Sequence, residues 1–328
     1  MYEHVRFHPE EIDLSNYRFL ITGAAGFIGS HLVEYLLNHG AAQVVGVDNL
    51  CEGRESNLSH FSGNPAFKLV IADVCDEEQM KSLMQGIDFV SHQAALGSVP
   101  RSIQTPTATN KANVSGFLSV LNAAREAQVR RMVYASSSSV YGDQPTLPKV
   151  EEITGRLLSP YAVSKMVNEL YADVFHRTYN MEVVGLRYFN IFGPRQKPDG
   201  PYAAVIPLFI DAIRNQKPVY INGDGLQTRD FTFVENAVQA NIKALFSSEN
   251  GVCGRVFNIA VGERATVLDM YNSLREIAGA GLDPIHRDNR EGDIRDSLAD
   301  ISAAQKLLGY NPTVKLNEGL RRTFESFV

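Results

Sequence analysis

Short runs of Val, Ile, Leu and Phe recur along the first 190 residues, separated by longer stretches whose apolar positions return with helical spacing. The runs are Arg18 to Thr22, Gln43 to Asp48, Phe67 to Ala72, Phe89 to Gln93, Arg131 to Ser136 and Val183 to Tyr188, with an amphipathic stretch ending near Asn38 after the first. Strand-length apolar runs alternating with helix-length segments predict repeated βαβ units, hence an α/β fold with a doubly wound parallel sheet. After Asn190 the pattern loosens into Gly- and Pro-bearing loops and shorter elements. We therefore expect a first domain over 1–190 and a smaller second domain over 191–328, some of whose segments return to the first.

The chain has 328 residues, 44% hydrophobic and 21% charged, enough for one large core or two modest ones. Its formal charge of −6 offers no general field for nucleic acid or an anionic membrane, so any anion must be held by a local site. Three scattered cysteines, Cys51, Cys75 and Cys253, lack the spacing of a disulfide framework or thiolate metal site. No run is long enough to span a bilayer, and the N-terminal stretch has no apolar signal region, so a cytoplasmic protein is expected. His4 and His8 stand four apart without further ligands nearby, and no metal site is expected.

Directly after the first predicted strand comes Thr22-Gly23-Ala-Ala-Gly26-Phe-Ile-Gly29-Ser30, opening into a helical pattern. Glycines at such a turn permit a tight bend, close approach of backbone to a pyrophosphate, and close packing of helix on strand. The helix N-terminus then faces the phosphates. The second strand ends at Asp48, nineteen residues after Gly29. A carboxylate there accepts from a ribose 2′-hydroxyl and repels a 2′-phosphate, which favours NAD over NADP; Arg54 nearby is the opposing feature. Asp73, after the third strand, either meets the adenine edge or caps a helix.

Tyr161-Ala-Val-Ser-Lys165 places a lysine one helical turn from a tyrosine, about twenty positions after the serine run Ser136 to Ser139. A cation so placed is expected to lower the phenol's pKa and make it a usable proton acceptor. Tyr-x-x-x-Lys alone is common on helices, and its chemistry depends on what surrounds it. His92 also ends a strand, but Ala94 and Ala95 after it point to backbone packed against a cofactor instead of a catalytic imidazole.

The glycine turn, the serine run and Tyr161/Lys165 together resemble the extended short-chain dehydrogenase/reductases over nearly the whole chain. Within them, His92-Gln-Ala-Ala-Leu-Gly-Ser-Val-Pro-Arg101, Leu158 to Lys165, Gly185-Leu-Arg-Tyr-Phe-Asn190 and Ala203 to Pro207 look like bacterial UDP-N-acetylglucosamine 4-epimerases. The resemblance implies Ser137, Tyr161 and Lys165 as catalytic residues. It implies an NAD site at Gly23, Gly26, Phe27, Ile28, Gly29, Asp48, Asn49, Asp73, Val74, Gln93, Ala94, Ala95 and Tyr188, with Tyr161 and Lys165 shared. It implies substrate contacts from Gly97 and Ser98, with Arg101 alongside, and from Ser138, Ser139, Asn190, Ala204, Val205 and Ser297. A nucleotide clamp of Arg229, Arg290, Asp293 and Arg295 is implied as well. The reaction so implied removes a hydride from C4 of a UDP-sugar and returns it to the other face.

Related dehydratases and decarboxylases resemble this pattern but carry acidic residues where this chain has Ser138 and Ser139, so epimerisation is expected over elimination. In the epimerases a large Tyr at the position of Ser297 restricts the enzyme to unacetylated sugars; the small Ser297 implies UDP-GlcNAc/UDP-GalNAc interconversion, with UDP-glucose or UDP-glucuronate 4-epimerase as alternatives. A catalytically silent NAD or nucleotide-sugar sensor is the reading from another class, and the intact Ser137, Tyr161 and Lys165 speak against it. The helices near 105 to 127 and 160 to 180 resemble those by which family members pair, so a homodimer is expected.

Overall fold

The computed structural model describes residues 1–198, 204–279, 282–288 and 295–327. Its centre is a parallel sheet into which each expected strand falls, within a residue at either end. The first half runs β1 (Arg18–Thr22), α1 (Phe27–Asn38), β2 (Gln43–Asp48), β3 (Phe67–Ile71), α2 (Glu77–Leu83) and β4 (Phe89–His92). There follow α3 (Val99–Gln104), α4 (Pro106–Asn110), a π turn at Lys111–Ser115 and α5 (Gly116–Glu126). Then come β5 (Arg131–Ser137), α6 (Pro160–Tyr179) and β6 (Val183–Tyr188).

After Asn190, α7 (Val205–Arg214) belongs to a smaller lobe, whereas α8 (Val234–Phe246) packs on α1 and β5. A seventh strand, Val256–Ile259, adds parallel to β6 and completes the order seventh–β6–β5–β4–β1–β2–β3. Thus residues 234–259 are a segment after Asn190 that returns to the main sheet.

Alternation along β1 sends Phe19 and Ile21 into the core beneath α1 and α8, and Leu20 into the core beneath α2 and α5. A third core, around Phe209, Ile213, Phe231, Met270 and Tyr271, fills the smaller lobe. The strand order reverses between β1 and β4, and in a doubly wound sheet the crevice beyond the carboxyl ends of those strands is where a ligand fits. Among the described residues no helix is long and apolar enough to cross a membrane.

Candidate active site

A cleft of about 1280 Å³ opens at that reversal, between the sheet's carboxyl ends and the smaller lobe. Its floor is the turn from β1 into α1. Gly23 sits at φ +64°, and a Cβ on it would lie 2.8 Å from the Ala94 amide nitrogen. A Cβ on Gly29 would lie 2.0 Å from the Gly23 carbonyl oxygen, so α1 seats directly on the turn. Gly26 stands at the N-cap with no side chain over the helix end, and Phe27 and Ile28 line the cleft beside it. A cradle of backbone this tight fits the phosphates of a dinucleotide and leaves no room for methyl groups.

Asp48 ends β2 nearly buried, at 7% exposure. Its carboxylate accepts from the amides of Ala25 (3.0 Å) and Leu50 (2.8 Å), which fix it at the edge of the cleft with lone pairs to spare for a ribose diol. Asn49, Asp73 and Val74 continue the same wall. Of the two readings of Asp73, the helix cap is excluded: Asp76 caps α2, accepting from the Gln79 amide at 3.0 Å. Asp73 instead accepts from the Cys75 amide at 2.9 Å, and hydrogen bonding there holds its carboxyl below the usual range.

The opposite wall begins at β4. His92 is 1% exposed, with Nδ1 hydrogen-bonded to Thr22 Oγ1 at 2.8 Å, and burial followed by the charge of Lys165 pushes its pKa down to about 3. It is a neutral core histidine. Thr22 Oγ1 also accepts from the Ala94 amide at 3.2 Å, which sets the backbone of Ala94 and Ala95 along the cleft. Gln93 accepts from the Tyr188 hydroxyl at 3.1 Å and donates to Asn241 Oδ1 at 3.0 Å, so its amide and the Tyr188 ring form one fixed surface.

Ser137 closes β5. Its Oγ accepts from the Ser139 amide at 3.2 Å and hydrogen-bonds the Tyr161 hydroxyl, which projects from the first turn of α6. Lys165, 2% exposed, lies one turn on with its Nζ 5.9 Å from the centre of the Tyr161 ring, and donates to the Ala135 carbonyl at 2.8 Å. Burial pulls the lysine down to about 8, the charge of Glu169 opposing the shift. The expectation that Tyr161 would be acidified is not met. Burial raises its pKa, and the hydrogen bond from Ser137 offsets this only in part. Loss of water disfavours the charged phenolate by more than that one hydrogen bond restores.

Ser138 and Ser139 follow Ser137 along the chain, and both line the cleft. The Oγ of Ser139 is buried without a hydrogen-bond partner among the described residues. The same holds for Oε1 of Gln196, a cleft residue the sequence reading did not single out. Gly97 lines the cleft, but Ser98 does not: its hydroxyl is spent capping α3, accepting from the Arg101 amide at 3.2 Å. Arg101 lines the rim and pairs with Glu52 at 2.5 Å.

Asn190, at φ +41°, anchors the crossing into the smaller lobe through the Asp230 carbonyl at 3.1 Å. Ala204 borders the cleft at the N-cap of α7, and Val205 follows as its first residue. Arg229 lines the cleft, its guanidinium donating to the carbonyls of Thr228 (2.8 Å) and Arg295 (3.1 Å). Arg295 departs from the expectation: it is 72% exposed and turned outward to Asp224, 3.4 Å away. Arg290 and Asp293 lie outside the described residues. Ser297, half-buried, faces the cleft from a segment stitched to Thr228 by its amide at 3.1 Å. Lys149, also cleft-lining and 5% exposed, donates to the Gln144 carbonyl.

Asn113 carries a role that the pattern of a helix face does not disclose. From the π turn it grips Leu96 through both amide and carbonyl, at 2.8 and 3.2 Å, and donates to Ser164 at 3.0 Å, tying the loop after β4 to α6.

A family model described as the NAD dependent epimerase/dehydratase family matches residues 19–260. A UDP-N-acetylglucosamine 4-epimerase from Methanobrevibacter ruminantium, solved with UDP-N-acetylmuramic acid, is 37% identical with a TM-score of 0.90, the match covering 95% of this chain and 98% of that one. A UDP-glucuronic acid 4-epimerase from Bacillus cereus, solved with UDP-glucuronic acid and NAD, is 33% identical with a TM-score of 0.87, covering 94% and 98%. A UDP-glucose 4-epimerase from Mycolicibacterium smegmatis is 36% identical over 94% of this chain and 98% of its own.

Proposed function

The chain belongs to the NAD-dependent epimerase/dehydratase family and is a UDP-sugar 4-epimerase, and from that premise we propose that it interconverts UDP-GlcNAc and UDP-GalNAc. The observation that carries this choice is the sugar end of the cleft. It is bordered by the small side chain of Ser297 and by Ser139, whose buried hydroxyl has no partner among the described residues. A serine at position 297 leaves volume for an acetamido group, and an unsatisfied buried hydroxyl gains from a polar substituent that reaches it.

In this reading NAD supplies the acceptor, and then the donor, of the C4 hydride. Tyr161 takes the 4-hydroxyl proton and later returns it; Ser137 orders the phenol by hydrogen bond. Lys165 contributes the positive charge that favours the phenolate, which burial alone opposes. Ser138 and Ser139 stand where elimination would call for carboxylates, so this part of the cleft offers the keto-sugar no carboxylate base of its own. Asp48, with its two backbone donors, selects a free ribose 2′-hydroxyl. Arg229, with Arg290 and Asp293, serves the uridine diphosphate, and the backbone at Gly97 and Ala204 borders it.

The exposed apolar stripe of Val163, Leu170 and Val174 on α6, each more than 40% exposed, lies at helical spacing and supports pairing with a second copy through that face. A second reading, a UDP-glucuronate 4-epimerase, is favoured by one observation: the buried cation of Lys149 borders the same cleft and suits a sugar carboxylate. Rates measured on UDP-GlcNAc, UDP-glucose and UDP-glucuronate, without added cofactor, separate the readings. The acetylated sugar is expected to have the highest kcat/KM; a preference for the uronate would transfer the assignment to the second reading.

A further inference from the structure

Three residues of α6 at successive turns, Tyr161, Lys165 and Glu169, address three consecutive residues of β5. Tyr161 meets Ser137, Lys165 donates to the Ala135 carbonyl, and Glu169 accepts from the Ser136 hydroxyl at 2.5 Å. Glu169 is 8% exposed and is gripped by the fork of Arg187 on β6, at 2.9 and 2.7 Å. Through Nη1, Arg187 donates as well to the Tyr141 hydroxyl (3.0 Å) and the Glu151 carbonyl (2.9 Å), so one buried ion pair joins α6, β5, β6 and the loop after β5. We propose that Glu169, oriented by Arg187 and Ser136, is the positioning residue that seats Lys165 against β5 and sustains its positive charge beside Tyr161.

The argument is one of charge as well as geometry. Lys165 is buried, and its hydrogen bond goes to a neutral carbonyl. The titratable groups that face it are Tyr161 and Glu169 from its own helix and His92 from β4; β5 presents the Ala135 carbonyl, and Arg187 of β6 stands behind Glu169. His92 is neutral, so Glu169 is the carboxylate that offsets the cost of burying the ammonium. A cationic cofactor ring in the same cleft adds to that cost. A buried ion pair that served packing alone would contribute little over apolar side chains of similar volume. Beneath a lysine that has to stay charged, it has a task apolar groups cannot perform.

This inference rests on the proposed role of Lys165 in C4 epimerisation, and its test keeps the two separable. Lysine labelled with 13C at Cε reports the titration of Lys165 in the NAD-loaded protein, the resonance being assigned by its loss in Lys165→Met. In Glu169→Gln, the Lys165 titration and the alkaline limb of the kcat profile are expected to move down together by about one pH unit or more. The direction follows from the sign of the removed charge, since without the carboxylate the ammonium gives up its proton at lower pH. That variant leaves Arg187 buried without its carboxylate, so the double variant Glu169→Gln, Arg187→Met carries the same expectation with no orphaned charge. An unchanged Lys165 titration in whichever variant folds would overturn the proposal and leave the pair a packing feature. A shifted titration in the variant, with a wild-type protein that fails to epimerise UDP-GlcNAc, would instead uphold the role of Glu169 and count against the substrate reading.

Discussion

Tyr161 is a phenol that burial has made harder to ionise, so its reactivity depends on charges gathered around it and not on the residue alone. Lys165 is one such charge, and Ser137 supplies the hydrogen bond that offsets burial. The pair was legible from its spacing; the direction of the tyrosine's shift was not, because spacing says nothing of how much water a side chain loses. Ser297 is the residue through which we expect the sugar to be chosen. Ser297→Tyr fills the space beside it, and turnover of UDP-GlcNAc is expected to fall about 10- to 200-fold with UDP-glucose spared, the range a steric change in a pocket usually spans. Parallel kcat/KM measurements on the two sugars check this, and equal losses on both would remove the size argument.

At the scale of elements, the turn between β1 and α1 shows why glycine spacing could be read so directly. The contact between Gly29 and the Gly23 carbonyl is set by backbone, and no neighbouring rotamer can relieve it. Gly29→Ala is therefore expected to destabilise the protein by about 1–3 kcal/mol and to strip it of co-purifying NAD, as α1 is pushed off its seat. Denaturant unfolding together with the NAD released on denaturation gives both readouts; a fully loaded, equally stable variant would contradict the packing. Other element-scale features were hidden. Ser98 reads as a substrate contact but is spent on capping α3, and the cap of α2 proved to be Asp76, not Asp73. Such competition between short polar side chains is settled by where a helix starts, which periodicity places only to within a few residues. Glu169 was within reach, since it continues the i, i+4 row of Tyr161 and Lys165. Its partner Arg187, on another strand, was not.

Across the whole molecule, the parallel, doubly wound character of the sheet was implied by the alternation of strand and helix, and right-handed crossovers limit the orders open to it. That some later segment returns was expected, but not that it is residues 234–259, since a four-residue strand among loops carries little pattern of its own. That return matters for the site. Asn241 on α8 fixes Gln93 and the Tyr188 hydroxyl, so the wall of the cofactor cleft is completed by chain that follows the smaller lobe's first helix. The cleft thus brings the glycine turn, Ser137, Tyr161, Lys165 and Ser297 to one place from segments spread over most of the sequence. The most direct test of their joint purpose is proton NMR of UDP-GlcNAc incubated with the purified protein. The account predicts new UDP-GalNAc signals, approached also from UDP-GalNAc, with no net change in NAD; an unaltered C4 configuration with NAD supplied would contradict it.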